Sequence, residues 1–328
     1  MLHIDGFEEF ANDPAPNAQM VRAGYEVFGQ MAIVGGRLGA HGVAGRNATM
    51  VRKMPWTTNT MSTGFAHMFD TRGSACWLKV GDTQINLWLH PDTGLPHLND
   101  KPGGALPVSS RWYYYELELD RAAARVTLSI NNRIDMTYDV EGDLSTEEVE
   151  VGIGYILPHI YRPDADPVPV DNATKTFDDF YIRDTSRFGP IVVSTRFPTT
   201  DEQVEWFKAA VAGSHAESLA LRPPKPLDNY VAANVIGADD RFTSAHELVN
   251  DNPVIATGVV VLARKAPTLA ARLGVFIGGG VGDTVEPRAM DTDVETDWKT
   301  QYLFFENQGP DAPAAVKDAE FGIYVAAP

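Results

Sequence analysis

The sequence predicts an all-β protein made of two β-sandwich domains, and three observations carry that prediction. Apolar residues recur with a period of two, whereas the i, i+3, i+4 spacing of an amphipathic helix is almost absent. The apolar stretches are short and are punctuated by Gly, Pro, Asn and Asp, as the turns of a sandwich or barrel require. The chain has 328 residues, more than the ~250–300 at which a single hydrophobic core stops growing.

The elements follow in order. Residues 31–35 (MAIVG) read as a strand that enters GGRLGAHGVAG (35–45), where every third residue from Gly36 onward is glycine. A phosphate-binding loop would be followed by a helix whose first N–H groups aim at the anion. Here RNATMVRKMPWTTNT follows, with a proline and β-formers, so the glycines predict a bend between early strands. Strands are expected at STGFAHMFD (62–70), ACWLKVG (75–81) and TQINLWLH (83–90). In WYYYELELD (112–120), Tyr113, Tyr115, Leu117 and Leu119 point one way, while Trp112, Tyr114, Glu116, Glu118 and Asp120 form a polar, wet face. VTLSI (126–130), a turn at Asn131 and Asn132, and IDMTYDV (134–140) complete a three-strand meander. EVEVGIGYI (148–156) is a further strand, RPDADPVPVDNA (162–173) is too proline-rich to pair centrally, and TFDDFYIRD (176–184) is the last strand of the first domain.

A composition shift at TSRFGP places the boundary near Ser186, giving domains of residues 1–185 and 186–328. The second domain is expected to hold IVVSTRF, a short helix over DEQVEWFKAAVAG (201–213), and then five strands. These are YVAANVI, PVIATGVVVLARKA, LAARLGVFIGG, KTQYLFFEN and AEFGIYVAA.

Composition narrows the function classes. The 44 acidic against 27 basic residues give a net charge of −17, which repels nucleic acid and anionic membrane surfaces. Cys76 is the sole cysteine, so no disulfide framework or multi-cysteine zinc site can form. MLHIDGFEEF lacks the pattern of a secretory signal and no apolar run approaches the ~18 residues of a membrane span, which predicts a soluble chain assembled inside the cell.

Two blocks carry a family resemblance. MLHIDGFEEF, GGRLGAHGVAG, STGFAHMF, RWYYYELELDRAAARVTLSINNR and KTFDDFYIRD, in that order, resemble the concanavalin A-like, laminin-G-like jelly roll. They run on into FGPIVVSTRFPTTDEQVEWF, LDNYVAANVIGADDRF, YLFFENQGPDAP and AEFGIYVA. That order resembles a family of tailed-bacteriophage virion proteins with a laminin-G-like domain followed by a second β-sandwich. The resemblance implies a non-enzymatic part of a phage tail, neck or baseplate, assembled in the host cytoplasm, with other virion proteins and further copies of itself as partners. The alternatives are a host-surface glycan-binding module and a β-glycan hydrolase.

Candidate chemistry follows from both sources. ELELD resembles the carboxylate strand of jelly-roll endoglucanases, with Glu116 and Glu118 as the acids. On a regular strand, i and i+2 stand roughly 6.6 Å apart, against the roughly 5–5.5 Å a retaining glycosidase needs. Solvation of a strand face is therefore the plainer reading of Glu116, Glu118 and Asp120. Jelly-roll lectins often hold calcium with loop carboxylates, and Asp164, Asp166, Asp171, Asp178 and Asp179 are the candidates here, so calcium is the one possible cofactor. Trp56, Trp88, Trp112, Tyr114 and Tyr161 could stack on sugar faces, with Trp112 and Tyr114 favoured by their place on the polar strand face. The eight histidines, at 3, 41, 67, 90, 97, 159, 215 and 246, form no HExxH pair, and no GxSxG elbow occurs. Cys76 beside Trp77 reads as a buried apolar residue, and GGGVGD (278–283), followed by DTVEPRAMD, reads as a turn.

Overall fold

The computed structural model describes residues 2–10, 16–38, 41–70, 72–155, 174–209, 213–221, 228–244, 253–268, 270–278, 288–311 and 319–328. They fall into two compact units, Met1–Val193 and Ser194–Pro328, each a β-sandwich.

Two sheets make the first unit. The front sheet orders β1 (Leu2–Asp5), β13 (Lys175–Arg183), β4 (Thr60–Phe69), β9 (Tyr113–Asp120), β10 (Arg125–Ile130) and β11 (Arg133–Asp139). The back sheet orders β2 (Glu26–Gly35), β3 (His41–Pro55), β12 (Glu148–Gly154), β5 (Ser74–Val80), β6 (Thr83–Leu89), β7 (Pro96–Leu98) and β8 (Lys101–Pro102). The sheets join where Lys175–Phe177 of β13 pairs with Val43–Gly45 of β3. Past that point a bulge at Asp179, with φ +50°, turns β13 away from β3 so that its second half pairs with β1. Every pairing is antiparallel, and strands distant in sequence become neighbours, as β4 with β13 and β3 with β12. This is the jelly-roll arrangement.

Alternation builds the core. Tyr115, Leu117 and Leu119 of β9 turn inward beside Phe65 and Phe177, and the Phe65 and Tyr115 rings stack at 5.7 Å. From the back sheet come Cys76, Leu78 and Val80, Ile85, Leu87 and Leu89, and Val149, Val151 and Ile153, all buried. Burying each such aliphatic side chain contributes about 1.5–3 kcal/mol. The meander forms as its sequence predicts, and Asn131 and Asn132 turn it with φ of +48° and +65°.

Several elements depart from the sequence reading. The 15-residue strand β3 begins inside GGRLGAHGVAG, so HGVAG (41–45), expected to be part of the bend, is strand; β3 is buried along most of both faces and lacks the alternation that marks a strand with one wet side. Ahead of it, α1 (Pro16–Arg22) is a short helix that the alternation did not signal. The helix expected at 201–213 does not form over the described residues 201–209. Thr200–Val204 is instead β14, paired with β17 (Asp239–Thr243), and Phe207–Ala209 is β15, paired with β16 (Tyr230–Ala232). Sheet pairing there overrides helical propensity, and the helix of this region is α2 (His215–Leu219).

In the second unit, β14, β17, β22 (Phe321–Ala326), β19 (Arg272–Ile277) and β20 (Arg288–Thr292) form a five-stranded sheet. A ribbon of β18 (Val254–Ala263) and β21 (Lys299–Asp311) packs against it, with Leu303, Phe305, Val259 and Val261 meeting Phe242, Leu273, Val275 and Ile323. The boundary also lies later than the composition shift at Ser186, because residues 186–193 are bound to the first unit.

Candidate functional site

Residues 186–193 form a strap across the outer face of the front sheet, and the carboxylates of ELELD hold it there. Glu116 is fully buried. Its Oε1 accepts from the Tyr181 hydroxyl and from the Gly189 N–H, both at 2.8 Å, and its Oε2 accepts from Arg187 Nη1 at 3.4 Å. Glu118 accepts the Arg187 N–H at 3.0 Å. Phe188 then stands edge-on to Tyr181, with ring centroids 5.1 Å apart, and Ile191 packs into the Ala66, Tyr114 and Tyr181 cluster. The expected wet face is therefore interior at Tyr114 and Glu116 and half-buried at Trp112, Glu118 and Asp120. A group that is already desolvated and bonded to three donors on the chain itself is not placed as an acid or nucleophile for an external glycan.

The same strap removes the favoured aromatic pair. Tyr114 is 1% exposed, its hydroxyl donates to the Asp179 carbonyl at 3.0 Å, and half-buried Trp112 packs on the same cluster. Trp56 is buried under the Arg121 guanidinium, which sits 3.8 Å from its ring centroid.

The calcium candidates divide. Asp164, Asp166 and Asp171, like Tyr161, lie outside the described residues. All four oxygens of Asp178 and Asp179 have protein donors. Asp178 accepts from the Arg37 N–H at 2.6 Å and the Asp179 N–H at 2.7 Å. Asp179 accepts from Arg37 Nη1 at 3.0 Å and the Val193 N–H at 2.8 Å. Burial, then the neighbouring Asp179 charge, raises Asp178 to about 7. Among the described residues no group of three or more His, Cys, Asp or Glu side chains could hold a metal ion. The glycine bend explains this cradle, since a Cβ on Gly36 would press on Asp178 Oδ2 at 2.6 Å. The loop does receive an anion through a backbone N–H, and that anion is the chain's own carboxylate.

The outer face of the back sheet has a different character. Strand parity puts Glu26, Val51, Lys53, Glu150, Gly152, Trp77, Lys79, Gln84, Asn86, Trp88 and His97 on it. Its β3 side is charged and internally paired, Lys53 with Glu26 at 3.0 Å and with Glu150 at 3.8 Å, and Lys79 with Glu150 at 4.0 Å. Its β7 side is aromatic. Trp77 lies over Gly152, where no side chain could stand, and packs with Val51 and Trp88.

Half-buried Trp88, His90 and His97 form a compact ring cluster at this edge. Ring centroids are 4.6 Å apart for Trp88–His97, 5.5 Å for Trp88–His90 and 5.3 Å for His90–His97. A polar frame holds the rings in place. Trp88 Nε1 donates to the Asn99 carbonyl at 2.7 Å, which fixes the indole, and Asn99 Oδ1 accepts from the Asn86 backbone at 2.9 Å and from Asn86 Nδ2 at 3.2 Å. Gln84 Nε2 donates to Asn86 Oδ1 at 2.5 Å. Gln84 Oε1, Trp77 Nε1 and His97 Nδ1 are buried without hydrogen-bond partners on this face. His90 Nδ1 accepts the N–H groups of Asp92 at 3.2 Å and Thr93 at 3.3 Å, so its neutral ring carries the proton on Nε2. Burial, then the charge of His90, lowers His97 from the usual histidine range.

Trp88 was among the sequence candidates, while His90 and His97 read as scattered. The signal that could have joined them is PDTGLP, a turn that folds Trp88 directly opposite His97.

The remaining candidates are structural. Cys76 is buried, and desolvation pushes its thiol far up, so it is inert. His215 Nδ1 lies 2.7 Å from Asp240 Oδ2, while Asp240 Oδ1 accepts the N–H groups of Glu205 and Trp206, so the pair ties β14, α2 and β17 together. Of GGGVGD only Gly278 is described, with φ +112°. His159 and His246 lie outside the described residues. Among the described residues no helix is long and apolar enough to cross a membrane.

No protein-family model matches the sequence. No curated protein matches it either. Solved structures of similar form include a sialidase, 11% identical with a TM-score of 0.39, over 56% of this chain and 18% of that one. The metal-free carbohydrate recognition domain of Emp46p is 10% identical with a TM-score of 0.37, over 56% of this chain and 96% of that one. Lectin I from Ulex europaeus, in complex with the methyl glycoside of α-L-fucose, is 12% identical with a TM-score of 0.36, over 55% and 97%. The chain thus spans less than a fifth of the sialidase, and at these scores the likenesses bear on neither ligand nor activity.

Proposed function

We propose that this is a glycan-binding protein, and that the Trp88–His90–His97 edge of the back sheet is where the sugar lies. One observation carries the reading. Three half-exposed rings lie together at one edge, with Trp88 fixed by the Asn99 carbonyl and His90 by the N–H groups of its own turn. Apolar ring faces with a few convergent amide groups are what a saccharide requires, since its C–H face stacks and its hydroxyls exchange hydrogen bonds. Preorganisation matters because a ring fixed before binding loses no rotamer entropy when the ligand arrives.

Glycan arrays at pH 7.5, followed by calorimetry on any positive oligosaccharide, test this. Trp88→Ala is expected to weaken binding at least ten-fold, equivalent to about 1.4 kcal/mol. His97→Ala, which leaves the Trp88–Trp77 packing in place, is expected to weaken it in the same direction. A blank array, or binding unchanged by both substitutions, overturns the proposal.

The order of motifs running from the first unit into the second supports a second reading, membership of a tailed-phage particle, where such recognition would serve adhesion to the host surface. Mass spectrometry of purified particles is the test, and its absence from them ends that reading.

A further inference from the structure

We propose that the glycan face is switched by protons, competent near neutral pH and dismantled in mild acid, with His90 as the sensing residue. The inference rests on the glycan-binding reading for its consequence, and on the geometry of one turn for its mechanism.

The turn Pro91–Gly94 closes the aromatic edge. It is held from one side by Arg72, whose Nη1 donates to the Pro91 carbonyl at 3.1 Å and the Asp92 carbonyl at 2.8 Å. From the other side it is held by His90 Nδ1, which accepts the Asp92 and Thr93 N–H groups. An imidazole can do this only while Nδ1 keeps its lone pair. Protonation turns that nitrogen into a donor facing two donors, so both bonds must break. A histidine accepting from residues two and three positions ahead does what an Asn or Asp does in an Asx-turn, with the difference that it titrates near physiological pH.

The surroundings add to the effect. His97 on β7 stands 5.3 Å from the His90 ring centre, so a charge on either ring opposes a charge on the other. The other charged groups at this edge are Asp92 in the turn, Asp100 beyond β7, Arg72 beneath the turn and Lys101 on β8. Burial and the charge of His90 both act to keep His97 neutral. Because the rings also touch Trp88, at 4.6 and 5.5 Å, loss of the turn loosens the platform.

The test uses the full chain without ligand, by NMR titration from pH 7.5 to 4.5, following the histidine ring protons and the Asp92 and Thr93 amides. These two amides are expected to shift with the His90 ring in one transition, and to exchange with solvent at least ten-fold faster below it. In His90→Asn, whose side-chain oxygen can accept the same N–H groups but does not titrate, they are expected to stay unchanged. Amides that stay flat in the wild type, or move equally in His90→Asn, overturn the proposal. The array at pH 7.5 judges glycan binding separately, so a blank array with a titrating turn removes the binding reading alone.

Discussion

His67 makes the stability of the first unit depend on acid in a way that one substitution should abolish. The residue sits on β4 with no exposure, its ring stacked on Phe177 at 4.7 Å and an interplanar angle of 6°, with Phe69 and Tyr115 beside it. Neither ring nitrogen has a hydrogen-bond partner. Burial, then the nearby Lys175 charge, lowers its pKa from 6.5 to about 3. As pH falls below 6.5 the unfolded chain takes up a proton here that the folded one refuses, so stability is fully present above 6.5 and drains away toward 3. At about 1.4 kcal/mol per pH unit, pH 5 costs about 2 kcal/mol, a sizeable part of the ~5–15 kcal/mol that holds a domain together. His67→Phe keeps a ring in the stack and removes both the proton and the unpartnered nitrogens. Urea denaturation of both proteins at pH 7.5 and 5.0, followed by fluorescence, isolates the term. Asp178, raised to about 7, acts with the opposite sign, gaining stability as pH falls through that range, but it is present in both proteins and cancels. The variant is expected to gain about 2 kcal/mol on the wild type between the two pH values. An equal difference at both would show that His67 does not titrate as its burial requires.

Two further outcomes follow from the packing. Glu116→Ala strips the strap of an acceptor shared by Tyr181, Gly189 and Arg187, and is expected to destabilise the first unit by about 3–5 kcal/mol and to open trypsin cleavage after Arg187. A loss under about 1 kcal/mol would contradict a buried, three-donor carboxylate. Gly152→Ala drives a methyl group into the Trp77 indole, with an expected cost of about 1–3 kcal/mol and a shift in tryptophan emission. Wild-type emission in that variant would show that Trp77 does not lie over Gly152.

The legible parts of the fold were those in which one strand face is apolar and the other polar. VTLSI, the Asn131–Asn132 turn and the strand after it were readable because their alternation and turn chemistry are local. β3 was not, because a strand covered on both sides carries no alternation. DEQVEWFKA misled for the reverse reason, since its spacing suits a helix while its backbone finds partners in Asp239–Thr243 and Tyr230–Ala232, residues far along the chain. Of the site, Trp88 could be singled out as an aromatic on a strand, but the hairpin that brings His97 against it depends on pairing across 91–95.

By itself the sequence determined the class of architecture, the glycine bend, the lack of a disulfide framework and the charge that repels polyanions. Those follow from composition and from contacts between near neighbours. Only the tertiary structure decided which polar face meets water. ELELD and the residues opposite Trp77 have equally polar outer sides in sequence, yet residues 186–193 cover the first and bond to its carboxylates, while the Trp88 edge stays half-exposed. Solvent exposure of a strand face is set by what packs on it from elsewhere in the chain, and no periodicity within the strand records that.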